Sequence, residues 1–171
     1  MLTLRRFGRL ARMVCTMSVT MVSVTACTPK GETRSEADLT EFATRYAAAW
    51  SSQNPVEFAA FYDEEGTLTV NGAPSVGRGA ITNTARVYMA AFPDMVVKLD
   101  SLRQEKDQTI FYWTWTGTNT GPGGTGRAVH LSGYERWTLG ANGLIAKSDG
   151  HFDNDEYQRQ LKGSSSPEPK R

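Results

Sequence analysis

Glu135 is the side chain best suited to acid–base chemistry, because of its neighbours in sequence. From Arg127 onward the chain alternates. Val129, Leu131, Gly133, Glu135, Trp137 and Leu139 fall on one face of a strand, and His130, Ser132, Tyr134 and Arg136 on the other. A lone carboxylate on an apolar face is costly when ionised, and desolvation raises its pKa toward the range of a general base. The competing readings are a salt bridge, or a bulge that turns Glu135 outward. Tyr46 could donate a hydrogen bond to a developing oxyanion, or simply be an amphipathic core residue of its helix. Asp149 and His151 lie two apart and share a strand face, which suits an acid/base pair or two metal ligands. The competing reading is that His151 is simply an exposed histidine near a sheet edge. Trp113 and Trp115 suit a pocket for a ring-containing ligand or an aromatic core.

These residues need strands and helices to position them. Ile110 to Thr116 alternates, with Phe111, Trp113 and Trp115 on one face and Ile110, Tyr112, Thr114 and Thr116 on the other. Strands are expected near 95–103, 108–117, 127–139 and 144–152, separated by Lys106-Asp107, Gly121-Pro122-Gly123-Gly124 and Gly140-Ala141-Asn142-Gly143. In the last of them Leu144, Ala146, Ser148, Gly150 and Phe152 face in, and Lys147, Asp149, His151 and Asp153 face out. Upstream, Ser35 with Asp38 starts a helix carrying Leu39, Phe42, Tyr46, Ala49 and Trp50 at helical spacing. Asn54-Pro55 starts a second helix, expected to run to Tyr62. Gly66–Val70 reads as a short strand, Asn71-Gly72-Ala73-Pro74 as a turn and Gly79–Ala91 as a third helix that stops before Phe92-Pro93. A closing helical turn fits Asp155–Leu161. Three helices followed by consecutive strands define an α+β fold with helices covering one sheet face.

The N-terminus stands apart. Arg5, Arg6, Arg9 and Arg12 precede an uncharged, modestly apolar run, Met13–Ala26, which reads as an export signal. The run is shorter than the roughly 20 apolar residues of a membrane span. Val24-Thr25-Ala26-Cys27 resembles a bacterial lipoprotein signal, which implies cleavage before Cys27 and lipid attachment there; the alternative is an ordinary cleaved signal with a chance cysteine. The expected division is a signal peptide over 1–26, a tether over 27–35, a folded domain over 36–161 and a disordered tail over 162–171. Loss of 1–26 leaves 15 Lys+Arg against 18 Asp+Glu, a net charge of −3, so no nucleic-acid partner is expected. Cys15 would be discarded and Cys27 lipidated, leaving no thiol for a disulfide or a metal. With only two histidines as well, neither metal nor cofactor is expected. The run from Gly121 to Gly126 lacks the Lys-Ser/Thr ending of a phosphate loop.

The order of elements resembles the nuclear-transport-factor-2-like superfamily, and within it the SnoaL-like polyketide cyclases. The residues carrying this are Phe92-Pro93-Asp94, Thr116-Gly117-Thr118-Asn119-Thr120-Gly121, Gly126-Arg127, Asn142-Gly143-Leu144-Ile145, Phe152-Asp153 and Gln160-Leu161. The resemblance implies a cone-shaped, curved antiparallel or mixed sheet wrapped around three N-terminal helices. Ketosteroid isomerase is similar at Thr44-Arg45-Tyr46, which implies an oxyanion donor at Tyr46, and at Tyr62, a second pocket tyrosine. Its two acids fall on Val70 and about Gly133, so steroid isomerisation by that route is not expected. The SnoaL-like acid on the last strand falls on Gly150, or on Asp149 if the register shifts by one.

The expected activity is binding of a small hydrophobic or aromatic molecule in an apolar cavity lined by Tyr62, Trp113, Trp115, Leu131 and Phe152, at the cell envelope. The rival is a cofactor-independent cyclase, isomerase or hydrolase using Glu135 or Asp149 as base with Tyr46. One inward carboxylate beside Tyr46 would favour catalysis. A third expectation is a homodimer or other protein contact through the outer sheet face, where Tyr112, His130 and Tyr134 lie.

Overall fold

The computed structural model describes residues 35–163 of the 171-residue chain. The expected signal peptide, Cys27, the tether up to residue 34 and the tail from residue 164 lie outside the described residues.

Helix α1 (Glu36–Ser51) starts where Ser35 Oγ accepts the Asp38 N–H at 3.1 Å while the Ser35 hydroxyl donates to the Asp38 carboxylate at 2.6 Å. Its apolar stripe buries Leu39, Phe42, Tyr46 and Trp50. Helix α2 (Pro55–Ala59) is capped by Asn54, whose side chain accepts the Glu57 N–H at 3.2 Å. It ends earlier than periodicity predicts. The Phe61 carbonyl accepts the Ile145 N–H at 2.9 Å, so the backbone there is already recruited to the sheet. Tyr62 therefore opens strand β1 (Tyr62–Val70) instead of closing a helix.

Asn71 and Gly72, with φ of 46° and 84°, turn the chain into β2 (Ala73–Val76). Positive φ at both positions is what a two-residue turn between right-twisted strands requires. Pro74, expected in the turn, lies in this short edge strand, where a missing N–H is tolerated. Then follow α3 (Gly77–Ala91), β3 (Val96–Glu105), β4 (Gln108–Thr118), β5 (Ala128–Leu139), β6 (Ile145–Phe152) and α4 (Asn154–Lys162).

The six strands form one curved, unclosed mixed sheet in the order β2-β1-β6-β5-β4-β3. Only β1 and β6 run parallel; every other neighbouring pair is antiparallel. Phe111, Trp113 and Trp115 of β4 face Glu135, Gly133 and Leu131 of β5 across the ladder, and this inner face packs on the helices. Strand β6 departs from simple alternation. Leu139 pairs with Ile145 and Thr138 with Lys147, so a bulge absorbs Ala146 and turns Ile145, not Ala146, into the core. Beyond the bulge the expected register holds, with Ser148 and Gly150 inward. The last helix is tied down by Gln160, whose side chain accepts the His130 N–H at 2.6 Å and donates to the His130 carbonyl at 2.9 Å.

Candidate functional site

Four elements converge on one carboxylate. Glu135 of β5 is only 6% exposed, and its Oε2 accepts three hydrogen bonds. The donors are the Tyr46 hydroxyl from α1 at 2.8 Å, Trp137 Nε1 at 3.0 Å and the Ser148 hydroxyl from β6 at 2.5 Å. Trp137 lies two residues along the same strand and thus on the same face, while Ser148 is its partner across the ladder. Behind Tyr46 stands Tyr62 of β1, with the two phenol oxygens 2.8 Å apart. With Glu135 ionised the Tyr46 proton is committed to it, so Tyr62 donates to Tyr46. Burial holds the pKa of both phenols well above the ordinary 10, with the Glu135 charge adding to the effect. Both remain protonated donors.

Burial also raises the Glu135 pKa above the ordinary 4.5, and the bonds from Ser148, Trp137 and Tyr46 oppose that rise by favouring the anion. No salt bridge reaches Glu135 among the described residues, and no bulge turns it outward. Its other oxygen, Oε1, receives no hydrogen bond from any described residue.

Glu135 forms part of the wall of a cavity of about 60 Å³. The other walls are Trp50 from α1, Leu68 and Val70 from β1, Tyr88 from α3, Met95 and Val97 at the start of β3, Trp113 and Trp115 from β4, and Gly150 and Phe152 from β6. Gly150 sits directly opposite Glu135, and a Cβ placed there would stand 3.3 Å from Glu135 Cγ. The bare α-carbon thus makes room for the glutamate. Gly133 does the same for Trp113, its cross-strand partner, whose ring lies where a side chain at 133 would be. The indole nitrogens of Trp113 and Trp115 are fully buried without a hydrogen-bond partner.

The cavity thus brings together Glu135, Trp113, Trp115 and Phe152 from the expected set. Tyr46 bonds to Glu135 from behind, which removes it as a free oxyanion donor: its one proton is already in use. Tyr62 and Leu131 are buried but do not line the cavity. The Tyr62 ring is held behind Tyr46, and Leu131 lies further along β5, opposite Trp115. Asp149 and His151 are on the outer face, paired with each other at 3.2 Å and roughly 40% exposed, so neither reaches the cavity. The β6 bulge precedes them and leaves Asp149 opposite Arg136. Of the two registers for an acid on the last strand, the inward one therefore holds Gly150. Among the described residues no group of His, Cys, Asp and Glu is arranged to hold a metal ion. Sequence reasoning passed over Trp50 and Tyr88 as walls; their places on apolar helical faces were visible, but not which end of the cone they close. Ser148 was legible as inward, yet its bond to Glu135 depends on the cross-strand register.

A curved, unclosed mixed sheet wrapped round helices in this way is the nuclear-transport-factor-2-like fold. The chain belongs to the SnoaL-like domain family, whose description matches residues 43–148, more than half of its length. Among solved structures it is similar to a protein of ketosteroid isomerase-like fold from Catenulispora acidiphila in complex with trimethylamine, at 18% identity and a TM-score of 0.65 over 75% of this chain and 98% of that one. TsrD from Streptomyces laurentii is similar at 22% identity and a TM-score of 0.65, over 75% and 98% of the two chains. A protein from Jannaschia sp. CCS1 described as a SnoaL-like polyketide cyclase is similar at 15% identity and a TM-score of 0.66, over 78% and 99%. These likenesses establish the fold. No curated protein is significantly similar to the chain.

Proposed function

We propose that this SnoaL-like domain binds a small, mostly apolar molecule in the Glu135 cavity, and that lipid on Cys27 holds it at the cell envelope after export. The observation that carries the binding reading is Glu135 itself, a buried carboxylate with one oxygen saturated by three donors and the other left open at a cavity wall. An acceptor that faces an apolar cavity has no protein donor to satisfy it there, and a ligand donor would do so. The Catenulispora protein of the same fold, in complex with trimethylamine, supports small-molecule binding. At about 60 Å³ the cavity is well below the roughly 300–1,000 Å³ of drug-sized sites, so the ligand is smaller than a polyketide or steroid skeleton.

The same open oxygen favours a second reading, in which Glu135 is a general base toward a small substrate, its pKa raised by burial toward the working range. That reading has an inward carboxylate beside Tyr46 but must find its oxyanion donor elsewhere, since Tyr46 donates to Glu135.

Intrinsic fluorescence tests binding directly, because Trp50, Trp113 and Trp115 line the cavity. Small amphiphiles bearing one hydrogen-bond donor are expected to shift the emission and raise the Tm of the wild type. Val97→Phe, which fills the cavity, should abolish both responses while leaving the circular dichroism unchanged. Equal responses in the folded variant would overturn the cavity as the site.

A further inference from the structure

The chemistry of the walls narrows the ligand further. Glu135 is a buried carboxyl group that no Lys, Arg or His of the described residues pairs with, and burial raises its pKa. An uncompensated buried charge is expensive, and neutral hydroxyl and indole donors on one oxygen offset only part of that cost. Around the open oxygen stand five aromatic residues, Trp50, Tyr88, Trp113, Trp115 and Phe152. In so small a space an occupant lies within about 6 Å of several ring centroids, the range over which ring quadrupoles attract a cation. The buried nitrogens of Trp113 and Trp115 are closed to any occupant, so these two indoles present carbon instead of N–H. An anion or a carbonyl acceptor would meet repulsion from Glu135 and no donor from those rings. A hard metal ion would find one carboxylate where it needs about six oxygen ligands.

Size sets the remaining limit. One water occupies roughly 10–15 Å³ of such volume, so 60 Å³ accommodates about four to six non-hydrogen atoms. We infer that the ligand is a small alkylammonium ion that keeps at least one N–H, which donates to Glu135 Oε1 while its alkyl groups pack on the aromatic walls. This rests on the cavity being a ligand site, as proposed above. The association is non-covalent and consumes nothing.

The titratable groups that face Glu135 are phenols: Tyr46 from α1, Tyr62 from β1 and, across the cavity, Tyr88 from α3. The inward residues of β4 and β6 near it, Phe111, Trp113, Ser148 and Gly150, carry no charge. Glu135 is therefore the group that sets the pH dependence of binding.

The test titrates the full-length chain with trimethylammonium chloride and, separately, with tert-butanol, a neutral molecule of similar shape that also offers one donor. Ionic strength is matched, and Trp emission and Tm are read. Trimethylammonium is expected to saturate at least tenfold tighter than tert-butanol, and to tighten as pH rises above the ordinary carboxylate value of 4.5 and Glu135, whose pKa burial raises, ionises. Glu135→Gln is expected to lose at least tenfold for the cation and to lose the pH dependence of its binding. Should that variant not fold, the wild-type pH profile serves alone. If tert-butanol binds as well as the cation, or cation affinity does not change with pH, the alkylammonium assignment is wrong although the site stands. If neither molecule gives a saturable response, both readings fall.

Discussion

Glu135 is a carboxyl group that the fold buries by surrounding one oxygen and leaving the other open. The three donors to Oε2 each favour the anion, but desolvation outweighs them and the pKa is raised. The folded state thus holds the Glu135 proton more tightly than the unfolded chain does. The stability that Glu135 contributes through this linkage is complete below the unfolded value of about 4.5 and is lost as pH rises through the folded pKa. Glu135→Gln keeps an acceptor for Tyr46, Trp137 and Ser148 and carries no charge at any pH. Urea unfolding of both proteins should therefore show the stability of Glu135→Gln, relative to wild type, rising as pH climbs above about 4.5 through the raised folded pKa of Glu135. A difference that is flat or falls over this window would mean that the carboxylate is not held against its own ionisation. A saturating alkylammonium ion should reduce the wild-type loss, because the ligand pairs with the form that burial penalises.

At the scale of elements, the β5–β6 pair is what makes the site. Gly150 opposite Glu135 gives the carboxylate its space, and a methyl group at 150 would lie 3.2 Å from the Thr69 carbonyl as well as 3.3 Å from Glu135 Cγ. The Thr69 oxygen belongs to the β1 backbone and cannot yield without disturbing the parallel β1–β6 ladder. Gly150→Ala should cost about 1–3 kcal/mol, the usual range for overpacking, and weaken ligand binding by displacing Glu135. Gly79→Ala is the control: a Cβ there meets nothing within 4 Å, and stability should hold or rise. Equal stability of Gly150→Ala and wild type in chemical denaturation would refute the close packing. Alternation alone placed Glu135, Trp113 and Trp115 inward, because a period of two carries that information locally. It could not reveal the bulge at Ala146, which turns Ile145 inward, or that Phe61 joins the sheet and cuts α2 short. The Tyr46–Glu135 bond spans 89 residues of sequence, and nothing local marks it. Tyr46 was thus legible as a donor, but not as one whose proton is already committed.

At the scale of the whole molecule, the described domain and the N-terminal 26 residues have opposite electrostatic character. The four arginines among residues 1–26 offset an acidic remainder, residues 27–171, of net charge −3. Among the described residues no helix is long and apolar enough to cross a membrane. The proposal for the envelope therefore rests on Val24-Thr25-Ala26-Cys27. Acyl chains contribute about 0.8 kcal/mol per buried methylene, and two or more chains hold a soluble domain stably at a bilayer. Between Cys27 and the α1 cap at Ser35 the chain can extend at most about 3.3–3.6 Å per residue, so the cone would sit within roughly 30 Å of the surface. The cavity would then sample small cations concentrated near anionic headgroups. Full-length wild type expressed in a bacterium with lipoprotein processing should sediment with membranes. Mass spectrometry should find a mature N-terminus at Cys27 carrying lipid mass. Cys27→Ser should move to the soluble fraction or remain unprocessed, with the thermal unfolding of its folded domain unchanged. A wild type that is soluble and cleaved elsewhere would remove the anchor from the proposal and leave the cavity chemistry untouched, because Glu135, its three donors and Tyr62 all lie within residues 46–148.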